Sequence, residues 1–574
     1  MPSRNRAFFP CAAVSVLLAL AGCASQPRPA SSAFEVGAWT GSQLVHSEYG
    51  AIRAVEDSRN TWVWKGVPYA RPPVGELRWK APRPPLPWDG VRVADSFGNQ
   101  ALQSVPFIGP MGSEDCLYLN IWRPQSAEVT LPVYVFVHGG GNSIGTSSYA
   151  DYHGQVVASA GNMVYVSINY RLGVFGWFHS PQLAEGESPE DASGNYGTLD
   201  IIQALKWVRQ NIAAFGGDPE RVTLAGESAG AFNILSLLIS PLAEGLFQRA
   251  VIESGMTAIQ SLEVADAASR DIERRLLLRQ GRAKDTQAAD AVLDGMSFAE
   301  HRSFLMALPA REFLAVQGKS SAGLGMSNHP AIYADGYVLP KDGFASLFDG
   351  SYPNKVPVII GSNKDEWKLF LNARADNSFR SDAALYQALS KFVTMTWRYR
   401  GVDSVAAAMT ALPAHPAVYA YRFDWGSPNA QGISPLPGDM GQRLGAFHSI
   451  EVPFFLGTDT SSVAFITGNY YTAQNRPGRD RLIDADLRYL AAFARTGDPN
   501  NYTGSPLPLW PAWDPAEDGD KALVMDVDGS ELAFSVLKEK LTAESIRQQA
   551  VAELKEPILS AVIGACTAFG LPSQ

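Results

Sequence analysis

The chain has 574 residues, 46% of them hydrophobic and 18% charged, with a formal net charge of -10. Such a composition belongs to an ordinary globular protein with ample apolar material for a large core. The acidic balance, with no basic run anywhere, argues against nucleic acid or an anionic surface as an electrostatic partner.

The first residues carry an address. Arg4 and Arg6 precede an apolar stretch, residues 11–20, that is too short to span a bilayer. It ends in Leu20-Ala21-Gly22-Cys23, which resembles the lipobox of bacterial lipoproteins, where the signal is cut before a cysteine that then carries the lipid. An ordinary secretory signal with a small-residue cleavage site is the alternative. Ala24 follows, not the aspartate that tends to hold Gram-negative lipoproteins at the inner membrane. The expectation is a signal over 1–22, a flexible tether over 23–35 with Pro27 and Pro29, and a folded domain over 36–574. The protein would be exported and anchored to a bacterial membrane through Cys23, at the outer membrane, the cell surface or the periplasmic face. Cys116 and Cys566 remain for the folded part, either paired or as two buried thiols.

Residues 65–90, rich in proline and including Trp79 and Trp88, predict an ordered coil packed around aromatic side chains. The apolar run at 132–137 predicts a strand buried on both faces of a parallel sheet. It ends in His138-Gly139-Gly140-Gly141, a loop whose backbone can approach a ligand closely. A second buried strand is predicted at 163–169. Residues 198–215 have helical spacing in Leu199, Ile202, Leu205, Val208 and Ile212, and Gly216 supplies a stop.

Next comes Gly226-Glu227-Ser228-Ala229-Gly230, between the strand formers Val222 to Leu224 and an apolar helix. A serine at such a strand-to-helix bend is pushed out over the helix N-terminus, and only glycine fits two residues to either side. Ser228 is therefore the candidate nucleophile. The N–H groups of Gly140, Gly141 and Ala229 are the candidate oxyanion hole. Strands are further predicted at 249–253, 356–360 and 419–425, with helical stretches at 264–313 and 367–415. That alternation is the pattern of a parallel α/β fold.

A serine nucleophile needs a base, and the base an orienting acid. In serine-elbow proteins the order along the chain is Ser, acid, His. The strand at 356–360 runs into Asp365 and Glu366, and its spacing does not choose between them. Beyond them only His415 and His448 remain of the chain's eight histidines. His415 lies in the turn sequence Pro413-Ala414-His415-Pro416, which favours His448 on the loop opened by Gly445. These three residues, Ser228, His448 and an acid at 365 or 366, must share one site. The length alone would suggest about three or four domains, but the span between them cannot be cut into independent ones.

Gly226 to Gly230, the triple glycine at 139–141, Asn363-Lys364-Asp365-Glu366 and Gly445-Ala446-Phe447-His448 together resemble the type-B carboxylesterase family, which includes cholinesterases and bacterial p-nitrobenzyl esterases. The resemblance runs over residues 45–515 and takes in Gly194-Asn195-Tyr196-Gly197 and Phe493-Ala494-Arg495-Thr496-Gly497-Asp498-Pro499. It implies an α/β-hydrolase with a large, mostly parallel sheet and helical insertions over the active site. It also implies Glu366 as the acid and a supporting role for Glu227. The implied activity is hydrolysis of small to medium, mainly uncharged carboxylic esters through an acyl-enzyme. An amidase or lactonase using the same triad, or a binding module of this fold that lost catalysis, are the alternatives. No cofactor or metal is implied, as there is neither a His-Glu-x-x-His motif nor a cysteine cluster. The sequon Asn501-Tyr502-Thr503 is taken as chance.

The chain departs from the family in four places. Asn142 stands where an aromatic usually follows the glycines and is expected to reshape the substrate pocket. Trp367 replaces a glycine after the acid. Ala101 stands where the partner of Cys116 would be. Residues 102–114 hold no tryptophan, so cationic choline esters are not expected as substrates.

Overall fold

The computed structural model describes residues 36–105, 108–320, 324, 326–373, 382–412 and 414–572. Residues 1–35, with the expected signal, tether and Cys23, lie outside the described residues. Residues Phe34–Gln574 make one compact unit.

Eleven strands form its central sheet: β1 (Val55–Asp57), β2 (Thr61–Pro68), β3 (Tyr118–Pro124), β4 (Leu131–Val137), β5 (Val164–Ile168), β6 (Gly217–Glu227), β7 (Arg249–Glu253), β8 (Val358–Asn363), β9 (Val418–Phe423), β10 (Ala522–Met525) and β11 (Ser535–Leu537). Their spatial order is β11-β10-β9-β8-β7-β6-β4-β5-β3-β2-β1. The seven strands from β10 to β5 pair in parallel, and antiparallel strands close both edges.

Every residue of β4, β5 and β8 is buried. Alternation sorts their side chains: Val133, Val135 and Val137 join the core on one face, Tyr134 and Phe136 the core on the other. Helices α1 (Tyr196–Asn211) and α2 (Ala229–Ile239) supply Ile201, Leu205, Ile234 and Leu238 to the first core. The later helix Arg476–Thr496 supplies Leu490 and Phe493 to the second. The continuous apolar runs are thus explained by helices covering both faces.

α1 passes into a short 3-10 turn, Ile212–Phe215, and ends at Gly216, whose φ of 78° is left-handed. The inserted helices between β7 and β8, opened by α3 (Leu262–Arg279), build a separate small core in which Phe304 and Phe313 pack with Trp79. One expectation is adjusted and one open alternative is decided. The proline-rich coil begins later, because β2 runs through residues 66–68. Cys116 and Cys566 are free and buried, so there is no disulfide between them. No helix among the described residues is long and apolar enough to cross a membrane.

Candidate active site

The chemistry gathers beyond the C-terminal ends of β4, β6 and β8, where open parallel sheets collect ligands. Ser228 joins β6 to α2 with φ 54° and ψ -122°, a region that costs a non-glycine residue about 1–3 kcal/mol. The surroundings enforce it. The Ser228 N–H donates to the Glu253 carbonyl at 2.9 Å, and its own carbonyl accepts from Phe232 at 2.9 Å. A side chain at Gly226 would press on the Val137 carbonyl and the backbone of Gly230, and one at Gly230 would strike the same Val137 carbonyl. Those two contacts account for both glycines of the motif.

Three residues far apart in sequence meet here. His448 Nε2 lies 2.8 Å from Ser228 Oγ, and His448 Nδ1 lies 2.6 Å from Glu366 Oε2. The other oxygen of Glu366 accepts the Asn363 N–H at 2.7 Å. A carboxylate can only accept from Nδ1, so this contact fixes the tautomer in which Nε2 is free to take the serine proton. Asp365 points elsewhere. Its carboxylate accepts from the Ala446 N–H at 3.1 Å and from Ser427, and it pairs with Lys368 at 3.0 Å. It therefore anchors the loop that carries His448. Among the described residues, His415 bonds locally, to the Pro416 carbonyl.

Glu227 lies on the other side of the imidazole, with Oε1 3.1 Å from His448 Nε2 and 2.6 Å from the Ser449 hydroxyl that donates to it. Burial pulls the His448 pKa down, but the charges of Glu227 and then Glu366 outweigh it and raise the group to about 9. Burial raises Glu227 itself, against the opposing pull of His448 and the Ser449 hydroxyl.

The glycine loop curls around the same point. Gly140 and Gly141 have φ of 102° and 61°, and a side chain at Gly140 would collide with the Ile144 carbonyl while one at Gly141 would collide with Met326. Among the described residues, no main-chain acceptor takes the N–H groups of Gly140, Gly141 or Ala229. His138 is buried and held near pKa 4 by that burial. Being neutral, it donates Nδ1–H to the Gly139 carbonyl at 2.8 Å, which helps set the loop.

The cavity above Ser228 measures about 100 Å³ and is walled by Tyr149, Tyr152, Leu369, Phe370, Val463 and Ile466 among others. Glu227 and His448 are its ionisable walls apart from the tyrosines, so the space suits an apolar, uncharged group. Asn142 does not line it, contrary to the sequence expectation. Its side chain is buried and turned away, with Oδ1 accepting from Asn233 Nδ2 at 2.8 Å. Trp367 does not line the cavity either and packs at 5.0 Å centroid distance on both Phe370 and Phe569.

Several neighbours escaped the sequence reading. Ser449 sits at φ 72° to reach Glu227. Glu451, three residues after His448, accepts from Ser254 at 2.5 Å and from Asn363. Burial, helped by Glu366 and Glu227, raises its pKa to about 8. Trp397 and Phe370 pack on the imidazole with centroids at 4.8 and 5.1 Å. The one signal in sequence was the carboxylate spaced three residues from a candidate histidine. The aromatic neighbours carry none.

A serine on a strained elbow, backed by a histidine and a buried glutamate at the C-terminal edge of a mostly parallel sheet, defines an α/β-hydrolase. Comparison with known proteins narrows the class. A sequence profile described as "Carboxylesterase family" matches residues 42–407. A para-nitrobenzyl esterase of Bacillus subtilis is 32% identical over 520 residues, covering 84% of this chain and 95% of that protein. A fumonisin B1 esterase of Sphingopyxis macrogoltabida is 37% identical over 331 residues, covering 57% of this chain and 56% of that one. Among solved structures, a PNB esterase superposes with TM-score 0.68 at 28% identity, covering 88% of this chain and 99% of its own. A carboxylesterase of Geobacillus stearothermophilus superposes at 0.65 with 32% identity, covering 86% and 97%. The chain belongs to the carboxylesterase family and is a carboxylic ester hydrolase.

Proposed function

We propose that the chain hydrolyses small to medium, mainly uncharged carboxylic esters through an acyl-enzyme on Ser228. The observation that carries this reading is the continuous relay from Ser228 Oγ through His448 to Glu366, at 2.8 and 2.6 Å. His448 Nε2 takes the hydroxyl proton as Oγ bonds to the ester carbon, and the carbonyl electrons move onto oxygen. That oxyanion rests on the N–H groups of Gly140, Gly141 and Ala229. As the tetrahedral adduct collapses, the C–O bond to the alcohol breaks and His448 protonates the leaving oxygen. Water then repeats both steps and frees the acid. Glu366 holds the imidazolium throughout, and Glu227 adds a second negative charge beside it.

The apolar cavity supports neutral acyl or alcohol groups, and the similarity to a para-nitrobenzyl esterase of Bacillus subtilis supports an aromatic ester as probe. The test is a p-nitrophenyl ester series from acetate to decanoate, run with and without an organophosphate. Turnover blocked by the organophosphate, and absent in a folded Ser228→Ala variant, is the expected result. Hydrolysis surviving in Ser228→Ala would sink the assignment. We further propose, from the lipobox-like Leu20 to Cys23, that the enzyme works at a bacterial membrane with a lipid on Cys23.

A further inference from the structure

We infer that Asn142 and Asn233 form a strut that fixes the spacing between the two halves of the oxyanion hole, making both positioning residues for ester hydrolysis. The inference rests on the serine mechanism proposed above. The hole draws its donors from two separate elements: Gly140 and Gly141 from the loop after β4, and Ala229 from the first turn of α2. Nothing covalent and local holds their separation, yet an oxyanion donor acts only within about 2.7–3.1 Å of the developing charge.

Asn233 lies one turn into α2 and is fully buried. Its Nδ2 spends its two hydrogens on the two halves, one on the Ala229 carbonyl at 2.9 Å and one on Asn142 Oδ1 at 2.8 Å. The Ala229 carbonyl can only accept, so the amide must present nitrogen on this side, and Asn142 must answer with oxygen. The orientation leaves the buried Asn233 Oδ1 without a hydrogen-bond partner. A buried amide oxygen left unpaired is costly, but the flipped amide would set its oxygen against the Ala229 carbonyl, and that keeps the nitrogen on the strut.

Asn142 is equally constrained. It follows Gly141 directly and holds φ 54°, which asparagine tolerates better than most residues. Its carbonyl accepts the Gly173 N–H at 2.7 Å. The Tyr170 hydroxyl, which donates to the His138 carbonyl at 2.8 Å, lies 3.3 Å from Asn142 Oδ1. A shift of Asn142 must therefore carry the neighbouring Gly141 peptide with it.

The test measures kcat and KM on p-nitrophenyl butyrate, and inhibition by an alkyl trifluoromethyl ketone whose serine adduct mimics the oxyanion. Variants are Asn142→Gly, which keeps the backbone angle, Asn233→Leu, which keeps the volume, and the pair combined. Thermal unfolding checks that each is folded, and Asn233→Ser replaces Asn233→Leu if that variant is not. Each single change should lower kcat about 10- to 100-fold with KM within about threefold, and weaken the ketone by a similar factor. The double variant should be no worse than the worse single, since one contact is lost in all three. Unchanged kcat, retained ketone affinity, or losses that multiply in the double variant would each overturn the strut. If the wild type neither turns over the ester nor reacts with an organophosphate, the serine mechanism itself has failed. If only the variants behave like wild type, the strut alone has failed.

Discussion

At the scale of single residues, the two carboxylates after β8 make the sharpest contrast. Asp365 and Glu366 are adjacent, and no spacing argument separates them. The bend after Asn363 does, sending Glu366 to His448 and Asp365 to Ala446. Glu366→Gln should reduce kcat by about 10³- to 10⁴-fold, because the amide no longer enforces the productive imidazole tautomer. Asp365→Asn should cost less than about tenfold, and a larger loss for it than for Glu366→Gln would exchange their roles. Glu227 acts through charge. It is the leading influence raising His448 toward 9, so its negative charge favours the imidazolium, the form unable to accept a proton. Glu227→Gln removes that charge and lowers the histidine pKa. The acid limb of kcat/KM against pH should therefore move to lower pH, and a limb that stays or moves upward contradicts the assignment.

At the scale of elements, the parts readable from sequence were those where backbone alone dictates the residue. The elbow was legible because Gly226 and Gly230 each face the Val137 carbonyl with no room for a side chain. The glycine loop was legible for the same reason. Gly230→Ala should accordingly destabilise the fold by about 1–3 kcal/mol and lower kcat, measured by thermal unfolding beside turnover. An alanine variant as stable and active as wild type would mean that β4 and α2 separate freely at this crossing. Asn142 was misjudged because its direction depends on a partner 91 residues away and on a left-handed φ, neither of which a local pattern records. Ser449 and Trp397 were missed for a related cause: their meaning arises only once the loop around His448 folds against Glu227 and Ser254.

At the scale of the whole molecule, sequence order sufficed for the strand succession, since continuous apolar runs mark strands covered on both faces. The extent of the edges was less legible. β2 and β3 extend the sheet with aromatic-rich strands that alternate weakly, and β2 hides its end among prolines. Cys23→Ser should leave esterase activity intact while moving the protein from the membrane to the soluble fraction, followed by fractionation and enzyme assay. A variant that stays with membranes would remove the lipid anchor from the account.

The buried carboxylates around one imidazole have a bearing on how a catalytic cycle ends. Glu227 and Glu366 both contact His448. A neutral ester entering the 100 Å³ cavity feels little of this. The acid left after deacylation has a pKa of about 4 and sheds its proton at neutral pH. Once ionised it faces like charges in a poorly hydrated space, where repulsion is strong. The glutamates that steady the base would then oppose retention of the product, and the expected outcome is that added carboxylate inhibits ester turnover only weakly, measured by rate against product concentration.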